Sequence, residues 1–267
     1  MLSRLSRLFN FGDRSPQKST ASQLVGYTYS CEGAENRLAN ASIGTVARNP
    51  NDKPPWIVVD RKVETMVVTR RPGRLFKVEV LDVAPEQVAG GARYIRAVTV
   101  RVISEEPAAI MFGPHGQHVC RVLDAARSIS VSLAEKAFES TSTEAQEAYS
   151  AAWDRWIRCM QPDSEHIGDD HRTTLAVPGL SRSPIGAGFG LIYSTLFARA
   201  KELVGDSSFS VDEDGEVSLT PKWSAAADFL LHAAMALGAP EIVSESESVA
   251  LLASWNVIES AIDSPGT

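Results

Sequence analysis

RLFKVEVLDVAPEQVAGGARYIRAVTVRVI, residues 74–103, decides the fold class. Its first ten residues alternate: Leu75, Lys77, Glu79 and Leu81 against Phe76, Val78, Val80 and Asp82. That period of two is the signature of a strand with one face buried. The last eleven, RYIRAVTVRVI, are rich in β-branched residues and read as a second strand. Between them lies only APEQVAGGA, a Pro- and Gly-punctuated loop too short for the helical crossover that parallel strands need. The two strands are therefore expected to pair antiparallel.

Upstream, WIVVD (56–60) and VETMVVTR (63–70) are also strand-like, and the RPG at 71–73 predicts a turn joining the second of these to residues 74–83 as a hairpin. LVGYTYS (24–30) adds another strand, and the turn-rich stretch 35–55 offers one short strand at most. Beyond Ile103 the period changes. VCRVLDAARSISVSLAEKAFES is ambiguous, with helical character toward its end. TEAQEAYSAAWDRWIRCM is a helix, with Thr143 and Gln146 at capping-box spacing and Ala145, Tyr149, Trp153, Trp156 and Met160 on one face. LIYSTLFARAKELVG is a second helix, stopped at Gly205.

FSVDEDGEVSL predicts a β-hairpin at about 208–219, with Asp214-Gly215 in its turn. TPKWSAAADFLLHAAMALG is a helix with Thr220 as N-cap and Pro221 in its first turn, apolar round most of its circumference and so expected deep in the core. SESESVALLASWNVIESAI closes the chain with Ser244 and Glu247 at capping-box spacing and a stripe of Val249, Leu252, Trp255 and Ile262. Sheet first and helices later define an α+β fold: an N-terminal antiparallel sheet over about 25–103, packed with helices from the C-terminal part. Residues 1–22 form a separate amphipathic segment and linker, and 23–267 a single domain. A division near 104–140 would separate a β-rich part from a helical one.

With 267 residues, 44% apolar and 22% charged, the chain has a globular composition and enough length for a full core. No apolar run reaches the roughly 18–20 residues of a membrane span. Cys31, Cys120 and Cys159 are odd in number and widely spaced, which suits free thiols in a reducing compartment. A soluble cytoplasmic protein is expected, or one of an organellar matrix if residues 1–20 act as a transit peptide. The net charge of −7 is divided unevenly. Residues 1–101 hold 16 Lys/Arg against 9 Asp/Glu, a balance of +7, and residues 102–267 hold 10 against 24, a balance of −14. Such asymmetry speaks to association rather than to fold.

Four of the five histidines fall in two short stretches. GPHGQHVC offers His115, His118 and Cys120 as metal ligands, and its two histidines, with His166, Asp170 and His171 of DSEHIGDDHR, are the candidates for acid–base chemistry. Neither spacing matches a known zinc signature. Gly186, Gly188 and Gly190 in SPIGAGFG precede the predicted helix at Leu191, where free backbone N–H groups and Arg182 would suit a phosphate. The spacing departs from GxGxxG, so no cofactor is expected. Arg61, Lys62, Arg70, Arg71, Arg74, Lys77, Arg93, Arg96 and Arg101, with Trp56, Phe76 and Tyr94, offer charges and rings to a nucleic acid. The acidic whole and the opposite parity of Arg93 and Arg96 weigh against it.

The first ten residues are the clearest docking feature. Wound as a helix, Met1, Leu2, Leu5, Leu8 and Phe9 fill an arc of roughly 120° while Arg4 and Arg7 lie on the other side. A helix so short forms only when its apolar face docks. The expected function is therefore non-catalytic binding, as an adaptor or assembly protein, with a protein partner or a second copy docked on residues 1–10 and contact with a membrane surface as the lesser option. A hydrolytic enzyme built on the two histidine stretches, or nucleic-acid binding through strands 61–101, are the alternatives.

Overall fold

The computed structural model describes residues 24–31, 37–50, 53–63, 66, 68, 70–85, 94–160 and 184–263. The N-terminal part is the expected antiparallel sheet, made of β1 (Val25–Cys31), β2 (Val46–Arg48), β3 (Ile57–Asp60), β4 (Gly73–Val83) and β5 (Tyr94–Glu106). Its pairing runs further than the sequence predicts. β4 lies between β1 and β5, β5 also pairs with β3 and β2, and β1 meets β3 where Tyr27 faces Asp60. The strands β1, β4, β5 and β3 thus form a closed circuit.

Two devices allow the closure. Register shifts along β4 and β5, between Lys77 and Val78 and again around Asp82, break the ladder. Buried positions in β5 change parity there, from Ile95 and Ala97 to Val98, Val100 and Val102. Such bulges bend a strand and raise its twist. The second device is Gly26, where a Cβ would stand 2.4 Å from the Asp60 carbonyl oxygen and 2.7 Å from Val59 Cγ1. Only the absence of a side chain lets β1 and β3 approach so closely.

Inside the circuit, Phe76, Val78, Val80, Ile95, Ala97, Val100, Val102, Ile57 and Val59 form one apolar core. Leu75, Met66 and Val68, with Tyr27 and Tyr29 beside them, belong to the larger core shared with the helices. This corrects the reading of 63–70 as a hairpin strand. Its described members Met66 and Val68 lie outside any strand and are buried as loop residues against the helices. β4 takes β1 and β5 as its partners instead.

The helical part comprises α1 (Gly116–Ser128), α2 (Val131–Glu139), α3 (Thr143–Met160), α4 (Pro184–Val204), α5 (Pro221–Gly238) and α6 (Glu245–Asp263). The ambiguous stretch 119–140 resolves into two helices, because the Ser130 side chain accepts the Leu133 N–H and starts α2 anew. α5 is the centre of this layer, packed against α1, α2, α4 and α6. Its buried Trp223, Phe229, Leu230 and Met235, with six alanines and a glycine, bear out the apolar circumference. The predicted hairpin is present as β6 (Phe209–Val211) and β7 (Val217–Leu219). Asp212 accepts the N–H groups of Asp214 and Glu216 in its loop, and Gly215 takes φ 82°.

Helix ends follow the capping logic with two adjustments. Ser244 and Glu247 form a reciprocal box: the Glu247 carboxylate accepts the Ser244 N–H at 2.8 Å, and Ser244 Oγ accepts the Glu247 N–H at 3.3 Å. For α3 the cap is Ser142, whose hydroxyl accepts the Ala145 N–H, and the Thr143–Gln146 box is corrected by one position. In α6 the buried stripe is Leu251, Trp255 and Ile258, whereas Val249 is 69% exposed. Among the described residues, no helix is long and apolar enough to cross a membrane.

Candidate functional site

The sequence places Tyr149 and Trp153 on the buried face of α3 with Ala145 and Trp156. The structure rotates that face. Ala145, Ala148, Ala152 and Trp156 are the buried set, while Tyr149 and Trp153 lie at its border, half-buried. α3 carries a wider apolar arc than its neighbours cover. The excess lines a depression of about 290 Å³ bounded by Gln146, Tyr149, Ser150, Trp153 and Asp154.

The rings are held from behind. Trp153 stacks on Phe189 of α4 with centroids 5.6 Å apart and planes 27° apart, and Trp156 meets it at 5.0 Å. Tyr149 and Trp153 stand 5.8 Å apart. On its inner side Tyr149 packs on the His232 ring of α5 at 4.8 Å. Pairs at these separations favour fixed tilted or stacked geometries, so the two half-exposed rings sit on a rigid base.

The electrostatics here come mainly from burial. His232 is 3% exposed, and neither ring nitrogen has a hydrogen-bond partner among the described residues. Burial pushes its pKa down to about 4, so the imidazole is neutral at pH 7. Asp228, one turn earlier on α5, is itself shifted upward by desolvation. Burial raises the Tyr149 phenol, and the Asp228 charge raises it further, so the hydroxyl stays protonated. The opposite face of α3 is tied down. Arg155 donates to the Ile242 carbonyl at 2.6 Å and to the Glu247 carboxylate, whose pKa falls to about 2, chiefly through that hydrogen bond.

The residues singled out from the sequence are dispersed. His115 precedes α1 and stands 3.8 Å from Glu241, His118 is exposed on α1, and Cys120 faces the core, where burial pushes its thiol up. Residues two apart on a helix point to different sides, so these three do not converge. Among the described residues no group of three or more His, Cys, Asp or Glu is placed to hold a metal ion. His166, Asp170, His171 and Arg182 lie outside the described residues, as do Met1, Leu2, Leu5, Leu8 and Phe9.

The glycine loop is a correction: α4 begins at Pro184, so Gly186, Gly188 and Gly190 are within the helix rather than ahead of it. Their N–H groups therefore do not form a phosphate-binding loop. A Cβ at Gly188 would stand 2.7 Å from Val119 Cγ1, and its role is close packing of α4 on α1.

Three of the basic residues nominated for nucleic acid spend their charge within the protein. Arg74 makes a two-pronged pair with Glu105 and donates to the Ala39 and Ala41 carbonyls, Arg101 pairs with Glu79, and Arg71 pairs with Asp124 and donates to the Cys120 carbonyl. Phe76 is fully buried, which removes it as a base-stacking ring.

Tyr149, Trp153 and His232 are what sequence reasoning misses as a site. One signal was available: the polar residues Gln146, Ser150 and Asp154 flank the two rings at helical spacing. His232 stands out only as a lone imidazole in an otherwise apolar helix. No family model, curated protein or solved structure matches the chain.

Proposed function

We propose that this protein acts by binding, as an adaptor or assembly component. The observation that carries the reading is the α3 depression, where two half-buried aromatic rings are set rigidly beside Gln146, Ser150 and Asp154. Half-exposed Tyr and Trp on a fixed base are the side chains that supply most binding energy at recognition surfaces.

The docking element is the amphipathic start, with Met1, Leu2, Leu5, Leu8 and Phe9 as its apolar arc. Each such side chain is worth about 1.5–3 kcal/mol when fully buried, which suffices for reversible attachment to a protein partner or a second copy. Deleting residues 1–12 tests this. Sedimentation of the full chain against the truncated one, with and without a partner recovered on the full chain, is expected to show loss of association. Flotation with anionic liposomes separates membrane contact from protein docking. Unchanged sedimentation and partner capture would refute the docking role.

A further inference from the structure

The depression on α3 has a chemistry that selects its occupant. It is lined by the aromatic Tyr149 and Trp153 and by the polar Gln146, Ser150 and Asp154. Among the described residues, no basic one lines it. Asp154 has no ion-pair partner among the described residues, and the Asp228 carboxylate is close enough to act on the Tyr149 phenol. An aromatic face carries negative potential and attracts a cation, most strongly at Trp. The rings and the Asp154 carboxylate thus share one sign at this place. An anion would meet the Asp154 carboxylate, whereas a cation meets an opposite charge beside the rings.

Size narrows the class further. A volume of about 290 Å³ is at the lower end for small-molecule pockets and roomy enough for a choline-sized ion. We propose that the α3 depression binds a small organic ammonium ion, its charge over the Tyr149 and Trp153 rings and beside Asp154. The inference rests on the reading of α3 as a binding surface and names its ligand class.

The experiment titrates the full chain with choline chloride and, at constant ionic strength, with its uncharged isostere 3,3-dimethylbutan-1-ol. Tryptophan fluorescence and saturation-transfer NMR follow binding. Saturable choline binding is expected, with the isostere weaker by about tenfold, the scale of a cation–π contact with a carboxylate beside it. Trp153→Leu should abolish binding. Asp154→Asn, a change on the exposed side of α3 that leaves packing intact, should weaken choline by about tenfold and leave the isostere unaffected. The chain lacking residues 1–12 should bind choline as the full chain does. No saturable binding, equal binding of the isostere, or an unaltered Asp154→Asn titration would overturn the inference. If choline fails while deletion of 1–12 still abolishes association, the ligand class falls and the docking function stands.

Discussion

His232 gives the sharpest test of the helical layer. Its imidazole is buried in the middle of α5 with both nitrogens unpartnered among the described residues. Each unpaired buried polar group costs about 1–3 kcal/mol. Replacement by Leu, of similar volume and without polar atoms, is therefore expected to stabilise the protein at neutral pH. The effect should grow in acid. The folded-state pKa is about 4 and the ordinary value 6.5, so the unfolded chain takes up the proton first as pH falls. The stability that the neutral ring supports is complete above 6.5 and is lost as pH falls through about 4.

Between about pH 7.5 and about pH 5, linkage with those two values removes about 2 kcal/mol from the wild type and nothing from His232→Leu. Other groups titrate as the pH falls, and Asp60 and Asp228, both raised by burial, oppose it. Burial raises Asp60 to about 6, so its stabilising contribution is present below 3.8 and is lost as pH rises through about 6. Asp60 is the same in both proteins and cancels in their difference. Urea unfolding followed by circular dichroism at the two pH values gives that difference directly. Equal pH dependence in wild type and His232→Leu would refute the reasoning, as would a variant less stable than wild type at both.

Three further outcomes follow from particular contacts. Gly26→Val drives a side chain into the Asp60 carbonyl and should cost at least about 1–3 kcal/mol in a thermal melt; an unshifted melt would mean that the strand circuit does not close there. Ser142→Ala should cost about 1 kcal/mol by removing the α3 cap, while Thr143→Ala should be near neutral, and chemical denaturation of the two variants separates the two cap assignments. Glu247, held at about 2 against an ordinary 4.5, supplies stability that is full above 4.5 and is lost as pH falls toward 2. Glu247→Gln should therefore flatten that acid limb, measured by tryptophan fluorescence from about pH 5 downward.

The local parts of this fold were open to reading and the non-local parts were not. Alternation over 74–83 and β-branching over 94–103 depend on neighbours two residues apart, and both strands stand where the period puts them. The same period misassigned 63–70, because Met66 and Val68 are buried as loop residues by helices that follow more than forty residues later. Closure of the strand circuit depends on Gly26 meeting a carbonyl on β3, and a glycine in a strand does not announce which backbone approaches it. α3 shows the same division at a finer scale. Five residues at helical spacing predicted a buried face, yet only some of that arc finds a neighbour. Ala145, Ala148, Ala152 and Trp156 go inward, and Tyr149 and Trp153 remain half-covered beside polar residues. Burying both rings completely would have added to the core, so their position at its border is a cost in stability. That cost is borne where polar residues frame the rings, and the excess of apolar arc over covered arc is therefore where binding should be sought.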